Sequence, residues 1–261
     1  MRHALTVLES IELALLPAEA AAVDADCYLV VDVLRATTTI ATLFGGGLTD
    51  LVVCDNIELA RERALSDARL LFGEVGGLPP AGFDHGNSPV EARALDVTGR
   101  RAVLFTTNGT SALCALAARG TVVAAALSNA SAVAGAGARV RRVAVVCAGN
   151  AGGARFSLED FAAGGAIVQR LVRLAPNAEL GDAAALAMTA TGYDDMLAAG
   201  LPQRAGRSNR LITGSRHARG LVGLGLGADV FFALEEDTSA AVPTVIETGT
   251  GWARLEDAVR S

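Results

Sequence analysis

The stretch YLVVDVLRATTT, residues 28–39, changes its character at the midpoint. Its first half is apolar and β-branched, which is typical of a strand buried on both faces of a parallel sheet. Its second half carries threonine hydroxyls, which suit the first turn of a helix. A buried strand that leads into a helix is the repeating unit of α/β proteins. The stretch therefore predicts that class.

Further apolar, β-branched runs follow the same pattern, and helical stretches such as residues 56–67 fit between most of them. The predicted strands are residues 28–34, 50–54, 68–74, 101–107, 121–127, 142–148, 228–234 and 243–248. Strand-helix alternation predicts a three-layer α/β/α sandwich with a mostly parallel (mixed) sheet. No linker or repeat divides the sequence, so we predict a single domain over residues 1–261.

The composition is apolar, with 51% hydrophobic and 19% charged residues. The longest uncharged run, residues 120–138, approaches the length of a membrane span, but it contains Ser128 and Asn129 and divides into a β-branched half and an alanine-rich half. A strand followed by a helix fits it better. Acidic residues interrupt every apolar stretch before Asp24, unlike a secretory signal. We therefore expect a cytoplasmic protein without a membrane partner.

The charged residues exclude several functions. A net charge of −6 argues against a nucleic-acid partner, because phosphate neutralisation needs basic patches. Every basic residue is arginine, so there is no lysine for a GxxxxGK loop or a Schiff base. The four cysteines lie far apart in apolar surroundings, which predicts reduced, buried thiols without a metal or redox role.

Polar clusters follow several predicted strands, where ligands collect in open α/β sheets. The clusters are DVLRATTT (32–39), GEVGG (73–77), GFDHGNSP (82–89), TTNGT (106–110) and SLED (157–160). We expect these segments, distant in sequence, to converge at one rim of the sheet.

The first cluster contains two charged residues in an apolar environment, Asp32 and Arg35. Burying either one alone would be costly, so each needs the other or a ligand. The following residues, including Thr37 and Thr38, supply hydroxyls and N–H groups at a helix N-terminus, which favours an anion. The alternative is a threonine cap beside an internal ion pair.

In TTNGT, Asn108 and Gly109 tolerate left-handed backbone and can direct N–H groups at a phosphate, with Thr110 beside them. An ordinary turn explains the same residues. SLED is typical of a capping box in which Ser157 is the N-cap and Asp160 reaches back to its N–H. Glu159 is then free to join Asp32 as a second carboxylate of a Mg²⁺ site.

Two alternatives remain open. The glycine-rich stretch GNAGG (149–153) follows a strand, so the protein could be an oxidoreductase that holds NAD(P) there, although the spacing is not GxGxxG. It could also be a non-catalytic protein that binds small anions. His217 lies in an RHA tripeptide, and we expect its side chain to be solvated.

Taken in order, the segments DVLRATTT, GE.GG, GFD.GNSP, TTNGT, SLED with AGGAIV, ADVFF and VP resemble the 2-phosphosulfolactate phosphatases of coenzyme M biosynthesis. The resemblance covers nearly the whole chain. It implies an α/β/α fold and Mg²⁺-dependent hydrolysis of a phosphate ester on a small sulfonated hydroxy acid. This chain has Val75, His85 and Ser111 where the family usually has arginine, leucine and arginine.

We therefore expect a phosphatase that attacks its substrate with water, with Asp32 as covalent nucleophile left open. The oligomeric state stays open, a homo-oligomer included. The expected catalytic residues are Asp32, Arg35, Asp84 and Glu159. The expected partners of the small anionic phosphorylated substrate are Thr37, Thr38, Asn87, Ser88, Asn108, Gly109 and Thr110. The expected Mg²⁺ ligands are Asp32, Glu74, Glu159 and Asp160.

Overall fold

The computed structural model describes residues 7–192 and 207–260 and confirms the α/β class. A ten-stranded mixed sheet has helices packed around it, as expected for a three-layer sandwich. The strands are β1 (Ser10–Ala14), β2 (Cys27–Val31), β3 (Asp50–Cys54), β4 (Leu70–Gly73), β5 (Arg101–Phe105), β6 (Thr121–Ala125), β7 (Arg142–Cys147), β8 (Glu179–Leu180), β9 (Pro243–Gly249) and β10 (Trp252–Asp257).

Most helices connect successive strands. They are α1 (Pro17–Ala20), α2 (Ala36–Gly45), α3 (Ile57–Ser66), α4 (Pro89–Ala94), α5 (Gly109–Leu116), α6 (Ala130–Gly137), α7 (Leu158–Leu174), α8 (Asp182–Ala190), α9 (Arg207–Thr213), α10 (Arg216–Gly223) and α11 (Gly227–Phe232), with a short 3₁₀ turn at Leu127–Asn129. None of the helices in the described ranges has the length and apolar character that crossing a membrane requires.

The sheet consists of two parallel groups joined by a hairpin, in the order β4-β5-β3-β10-β9-β6-β2-β7-β1-β8. The hairpin strands β9 and β10 are antiparallel to each other and to their outer neighbours, β6 and β3. Helix α5 contacts β2 and β6 of one group and β3 and β10 of the hairpin side. Because β3 belongs to the other parallel group, α5 packs against strands of both groups.

Alternate residues of the strands face different cores, as the period of two requires. In β2, Leu29 and Val31 join the core under α6 and α7, whereas Tyr28 and Val30 join the core shared with α2 and α5. All five residues of β2 are buried. Burial on both faces explains why this strand contains no polar residue before Asp32.

The predicted strand at residues 228–234 is wrong, because this segment belongs to helix α11. The helix buries Asp229, Val230 and Phe232 and exposes Phe231. A short apolar run fits a strand and a buried helix equally well, and here the tertiary contacts of Asp229 decide. Strands β1 and β10 were missed because each has only one fully buried face, which leaves polar residues between the apolar ones.

Candidate active site

The polar segments after β2, β4, β5 and β7 converge on one cavity of about 510 Å³, although the antiparallel pairings of β3, β10, β9 and β6 make the two groups of strands run in opposite directions, so the meeting point is not one rim of a parallel sheet. Asp32 and Arg35 follow β2, Glu74 follows β4, Thr107 follows β5 and Asn150 follows β7. Helix α10 covers one side of the cavity with the apolar side chains of Leu221 and Leu224. The cavity is therefore lined both by charged side chains and by apolar side chains.

Asp32 is buried at the end of β2, with a side-chain oxygen 3.4 Å from the backbone N–H of Ala36. Its second oxygen lies against the backbone of Gly109, where an added Cβ would stand 2.6 Å from it. Burial raises the pKa of Asp32 to about 6, and the charges of Glu74 and Glu159 add to this while His217 opposes it. Asp32 is therefore a desolvated carboxylate with one oxygen that accepts no protein hydrogen bond within the described residues.

Arg35 is also buried, and its guanidinium has fixed partners. One terminal nitrogen lies 2.6 Å from a carboxylate oxygen of Asp229, and the other donates to the carbonyl oxygen of Gly77 at 2.6 Å. The other oxygen of Asp229 accepts the hydroxyl of Ser88 at 2.6 Å. Helix α11 thereby orients Arg35 on the cavity wall, through a residue that lies 194 positions away in the chain.

Asp160 joins two strand ends. One of its carboxylate oxygens accepts the N–H of Val33 at 3.0 Å, and the other accepts the N–H of Gly149 at 3.1 Å. Burial raises its pKa well above the ordinary value, and the charges of Asp32 and Glu159 add to this. The predicted Ser157 cap is present, since its hydroxyl accepts the Asp160 N–H at 3.2 Å. The return bond of the capping box is replaced by the bonds to the strand ends.

The two remaining predicted metal ligands differ in their surroundings. Glu74 accepts the N–H and the hydroxyl of Thr107 at 2.8 Å each with one oxygen, and the N–H of Gly77 at 2.8 Å with the other. Glu159 is buried and has a single weak contact, from the amide of Asn150 at 3.4 Å. In the described ranges, no group of three or more His, Cys, Asp or Glu side chains is arranged to hold a metal ion.

The loop GFDHGNSP distributes its predicted site residues over three locations. Asn87 lines the cavity, is buried, and has a side-chain oxygen without a hydrogen-bond partner among the described residues. Ser88 caps helix α4 by accepting the N–H of Glu91 at 3.1 Å and donates its proton to Asp229. Asp84 is exposed and accepts the N–H of Leu71 at 2.8 Å, away from the cavity lining.

The threonines at the first turns of α2 and α5 donate their hydroxyls to the backbone. Thr37, Thr38 and Thr110 donate to the carbonyl oxygens of residues 32, 33 and 106 at 2.8 to 2.9 Å. All three are fully buried and are not among the cavity-lining residues. Their hydroxyls therefore shape the strand-to-helix turns. Asn108 lines the cavity and accepts the N–H of Gly152 at 2.8 Å, which joins the β5 and β7 loops.

Two site residues were missed by sequence reasoning. Asp229 lies in the segment that was predicted to be a strand, and His217 was expected to be solvated. His217 is partly buried, and its Nε2 lies 2.9 Å from the carbonyl oxygen of Leu34, which can only accept, so this nitrogen carries the proton. Asp229 and His217 reach the site through contacts with residues more than 180 positions away in the chain. The sequence holds no local signal for such contacts.

Comparison with known proteins gives consistent matches. The family model described as 2-phosphosulpholactate phosphatase matches residues 14–248. A protein of Deinococcus radiodurans named probable 2-phosphosulfolactate phosphatase is 40% identical over 227 residues, which cover 85% of this chain and 88% of the relative. Proteins of the same name from Thermotoga petrophila and Thermus thermophilus are 36% and 38% identical and cover 84% of this chain and 88% of their own lengths.

Proposed function

This chain belongs to the 2-phosphosulfolactate phosphatase family, and on that premise we propose that it hydrolyses 2-phosphosulfolactate to sulfolactate and phosphate with Mg²⁺ as its cofactor. The family makes it a phosphoric monoester hydrolase. The observation that carries the proposal is that Asp32 and Arg35 line one cavity together with Asn87, whose buried side-chain oxygen has no hydrogen-bond partner among the described residues. Such an oxygen needs a hydrogen-bond donor, which a bound water or a hydroxyl of a ligand can supply.

In this proposal Arg35 binds the phosphoryl oxygens. Its two terminal nitrogens are oriented by Asp229 and the Gly77 carbonyl, so the guanidinium need not be ordered when substrate binds. The side-chain oxygen of Asn87 can only accept, so in this proposal it accepts a hydrogen bond from the attacking water. The apolar side chains of Leu221 and Leu224 limit the access of bulk water, which strengthens these charge interactions.

The carboxylates fit a divalent cation. Asp32 and Glu159 would hold Mg²⁺, because each is buried and has an oxygen that the backbone leaves free, and Mg²⁺ commonly uses one or two carboxylates with substrate phosphate. A bound cation would also favour the charged form of Asp32. The carboxylate oxygens of Glu74 and Asp160 accept backbone N–H groups instead. We therefore propose that these two side chains position the surrounding loops and do not bind Mg²⁺. When bound, Mg²⁺ neutralises charge on the phosphoryl group.

The reaction forms a bond between a nucleophilic oxygen and phosphorus and breaks the ester bond, whose electron pair goes to the leaving alkoxide. We propose that water is the nucleophile, that Asp32 orients it, and that the proton which water loses ends on the leaving alkoxide. Attack by Asp32 itself would form an aspartyl phosphate that water then hydrolyses. A chiral phosphate ester distinguishes the two, because one displacement inverts the configuration at phosphorus and two displacements retain it.

The two rival functions are disfavoured by the family match. The loop at residues 149–153 joins β7 to the β5 loop through the Gly152 N–H and carries Asn150 into the cavity, so it contributes to the same site. The family match favours hydrolysis over NAD(P) chemistry and over passive binding of anions. Titration of cofactor fluorescence with the purified protein tests the first rival directly.

The metal proposal is tested by chelation. We expect EDTA to abolish phosphatase activity and Mg²⁺ to restore it, because Arg35 alone cannot balance a phosphoryl dianion and its leaving oxygen. The measurement is release of phosphate from 2-phosphosulfolactate after exhaustive dialysis. Full activity in EDTA would contradict the Mg²⁺ assignment, and loss of activity that Mg²⁺ does not restore would point to a different cation.

A further inference from the structure

A second cavity of about 420 Å³ adjoins the candidate active site. The two cavities share the side chains or backbone of Asn150, Ala151, His217 and Gly220 along their border. Glu159 lines the second cavity, whereas Asp32 lines the first, so the proposed cation site lies where the two meet. A ligand with two anionic ends could therefore occupy both cavities while contacting the same reactive centre.

The first cavity has little positive charge for a second anion. Arg35 is the one arginine among the described residues that line it, and both terminal nitrogens of Arg35 already contact Asp229 and Gly77. Asp32 and Glu74 add negative charge on the same wall. Once a phosphoryl group is bound there, a carboxylate or sulfonate of the same molecule would find no further arginine among the described residues of this cavity.

The second cavity has two arginines, Arg155 and Arg216. Neither forms an ion pair with any residue in ranges 7–192 and 207–260, whereas other arginines, such as Arg35, Arg69 and Arg170, do. The loop that carries Arg155 is closed by two backbone hydrogen bonds with Asn150, at 2.7 and 3.0 Å, which fix where it projects. The backbone from which the Arg155 side chain extends is therefore held in place.

The position of Arg216 is not explained by helix stability. It is the first residue of α10, directly after the Ser215 cap, and a cation at a helix N-terminus opposes the helix dipole. A ligand anion at this end would interact favourably with both the guanidinium and the dipole. The positions at which the family usually has arginine, Val75 and Ser111, line neither cavity in this chain.

We propose that the second cavity binds the non-phosphate acid groups of the substrate, with Arg155 and Arg216 as their partners. This inference rests on the proposed phosphatase function and assigns the residues that bind the carboxylate and the sulfonate of its substrate. Phe156 and Leu158 supply apolar surface beside the acid groups. Planar guanidinium groups suit carboxylate and sulfonate oxygens because they donate two parallel hydrogen bonds.

The test compares Arg155→Ala and Arg216→Ala with the control Arg219→Ala, which lies on the same helix outside both cavities. The kinetic readout is the ratio of kcat/KM for 2-phosphosulfolactate to kcat/KM for p-nitrophenyl phosphate, which lacks a second anion. We expect the ratio to fall roughly ten- to hundredfold in each cavity variant through a higher KM, and to stay unchanged in the control.

A binding measurement separates this inference from the phosphatase proposal. Calorimetric titration with sulfolactate, which has both acid groups and no phosphate, should show binding to the wild-type protein and to Arg219→Ala, and weakened binding to both cavity variants. Equal binding to all four proteins, or an unchanged kinetic ratio, would overturn the subsite. Arginine-dependent binding without turnover of either ester would support the subsite and contradict the phosphatase proposal.

Discussion

At the scale of single residues, the two charged side chains after β2 are accommodated in different ways. Arg35 has a carboxylate partner, Asp229, and a carbonyl partner, so its charge is compensated by the protein. Asp32 has no cationic hydrogen-bond partner among the described residues, and burial raises its pKa to about 6. The charge of Arg35 is thus compensated within the protein, whereas the charge of Asp32 is left to be compensated by a bound ligand.

The Arg35–Asp229 pair gives a prediction. Asp229→Asn keeps the shape of the side chain and removes its charge, so Arg35 should lose its fixed orientation. We expect kcat/KM to fall roughly ten- to hundredfold and the free energy of unfolding to fall by about 1.5–3 kcal/mol, the value of a hydrogen bond to a charged group. Phosphate release and urea unfolding measure the two effects.

The control for Asp229 is Glu235→Gln, which removes a carboxylate from an exposed pair with Arg93. Exposed pairs contribute at most about 1 kcal/mol, so we expect normal kcat/KM and near-normal stability. If Asp229→Asn lost stability but kept its kcat/KM, Asp229 would be structural only.

At the scale of elements, the site depends on turns where a strand enters a helix. In GFDHGNSP, Asp84 bonds to β4, Asn87 reaches the cavity and Ser88 caps α4, so one loop has three separate functions. The first turn of α7 is divided in the same way. Ser157 caps the helix, Asp160 joins two strand ends and Glu159 faces the second cavity.

This division within α7 predicts separable effects. Ser157→Ala should lower the free energy of unfolding by roughly 1 kcal/mol through the lost N-cap, with turnover largely kept. Glu159→Gln should reduce kcat far more than it reduces stability, because its carboxylate has only one weak protein contact. Thermal unfolding and initial rates measure both. Normal turnover by Glu159→Gln would leave this turn with a structural role alone.

The close approach of α5 to β2 gives a second prediction for an element. In Gly109→Ala the new Cβ would stand 2.6 Å from both Asp32 Oδ2 and the Cβ of Ala36, so a backbone shift is needed. We expect a loss of about 1–3 kcal/mol of stability together with reduced turnover.

The matched control is Gly135→Ala, inside helix α6, where nothing lies within 4 Å of the new Cβ. Replacing a helical glycine by alanine should stabilise by roughly 0.5–1 kcal/mol and leave turnover unchanged. The sign of the change in Tm should therefore differ between the two variants. Equal stability of Gly109→Ala and the wild-type protein would show that α5 can move away from Asp32.

At the scale of the whole molecule, the β9–β10 hairpin connects two parallel groups of strands that each contribute to the site. Leu255 of β10 is fully buried in the core that α2 and α5 share with both groups. We expect Leu255→Ala to lower the free energy of unfolding by about 2–5 kcal/mol, as for other buried leucines. Because the cavity needs strand ends from both groups, turnover should fall at lower temperature than in the wild-type protein.

The control is the same substitution at Leu65, which is 83% exposed on α3 and should change stability by no more than about 0.5 kcal/mol. Circular dichroism melts and temperature profiles of activity measure both variants. If Leu255→Ala had the same free energy of unfolding as Leu65→Ala, the hairpin would contribute little to holding the two groups of strands together.

The sequence by itself determined the α/β class, most strands, and most of the polar clusters that meet at the cavity, because strand and helix periodicity are properties of neighbouring residues. Asp32, Arg35 and Asn87 could be located from it for the same reason. Only the tertiary structure decided which side-chain atoms are free to bind. Asp229 reaches Arg35, and His217 reaches the carbonyl oxygen of Leu34, across the molecule. Hydrogen-bond partners of buried groups depend on packing between distant segments, which spacing along the chain does not encode.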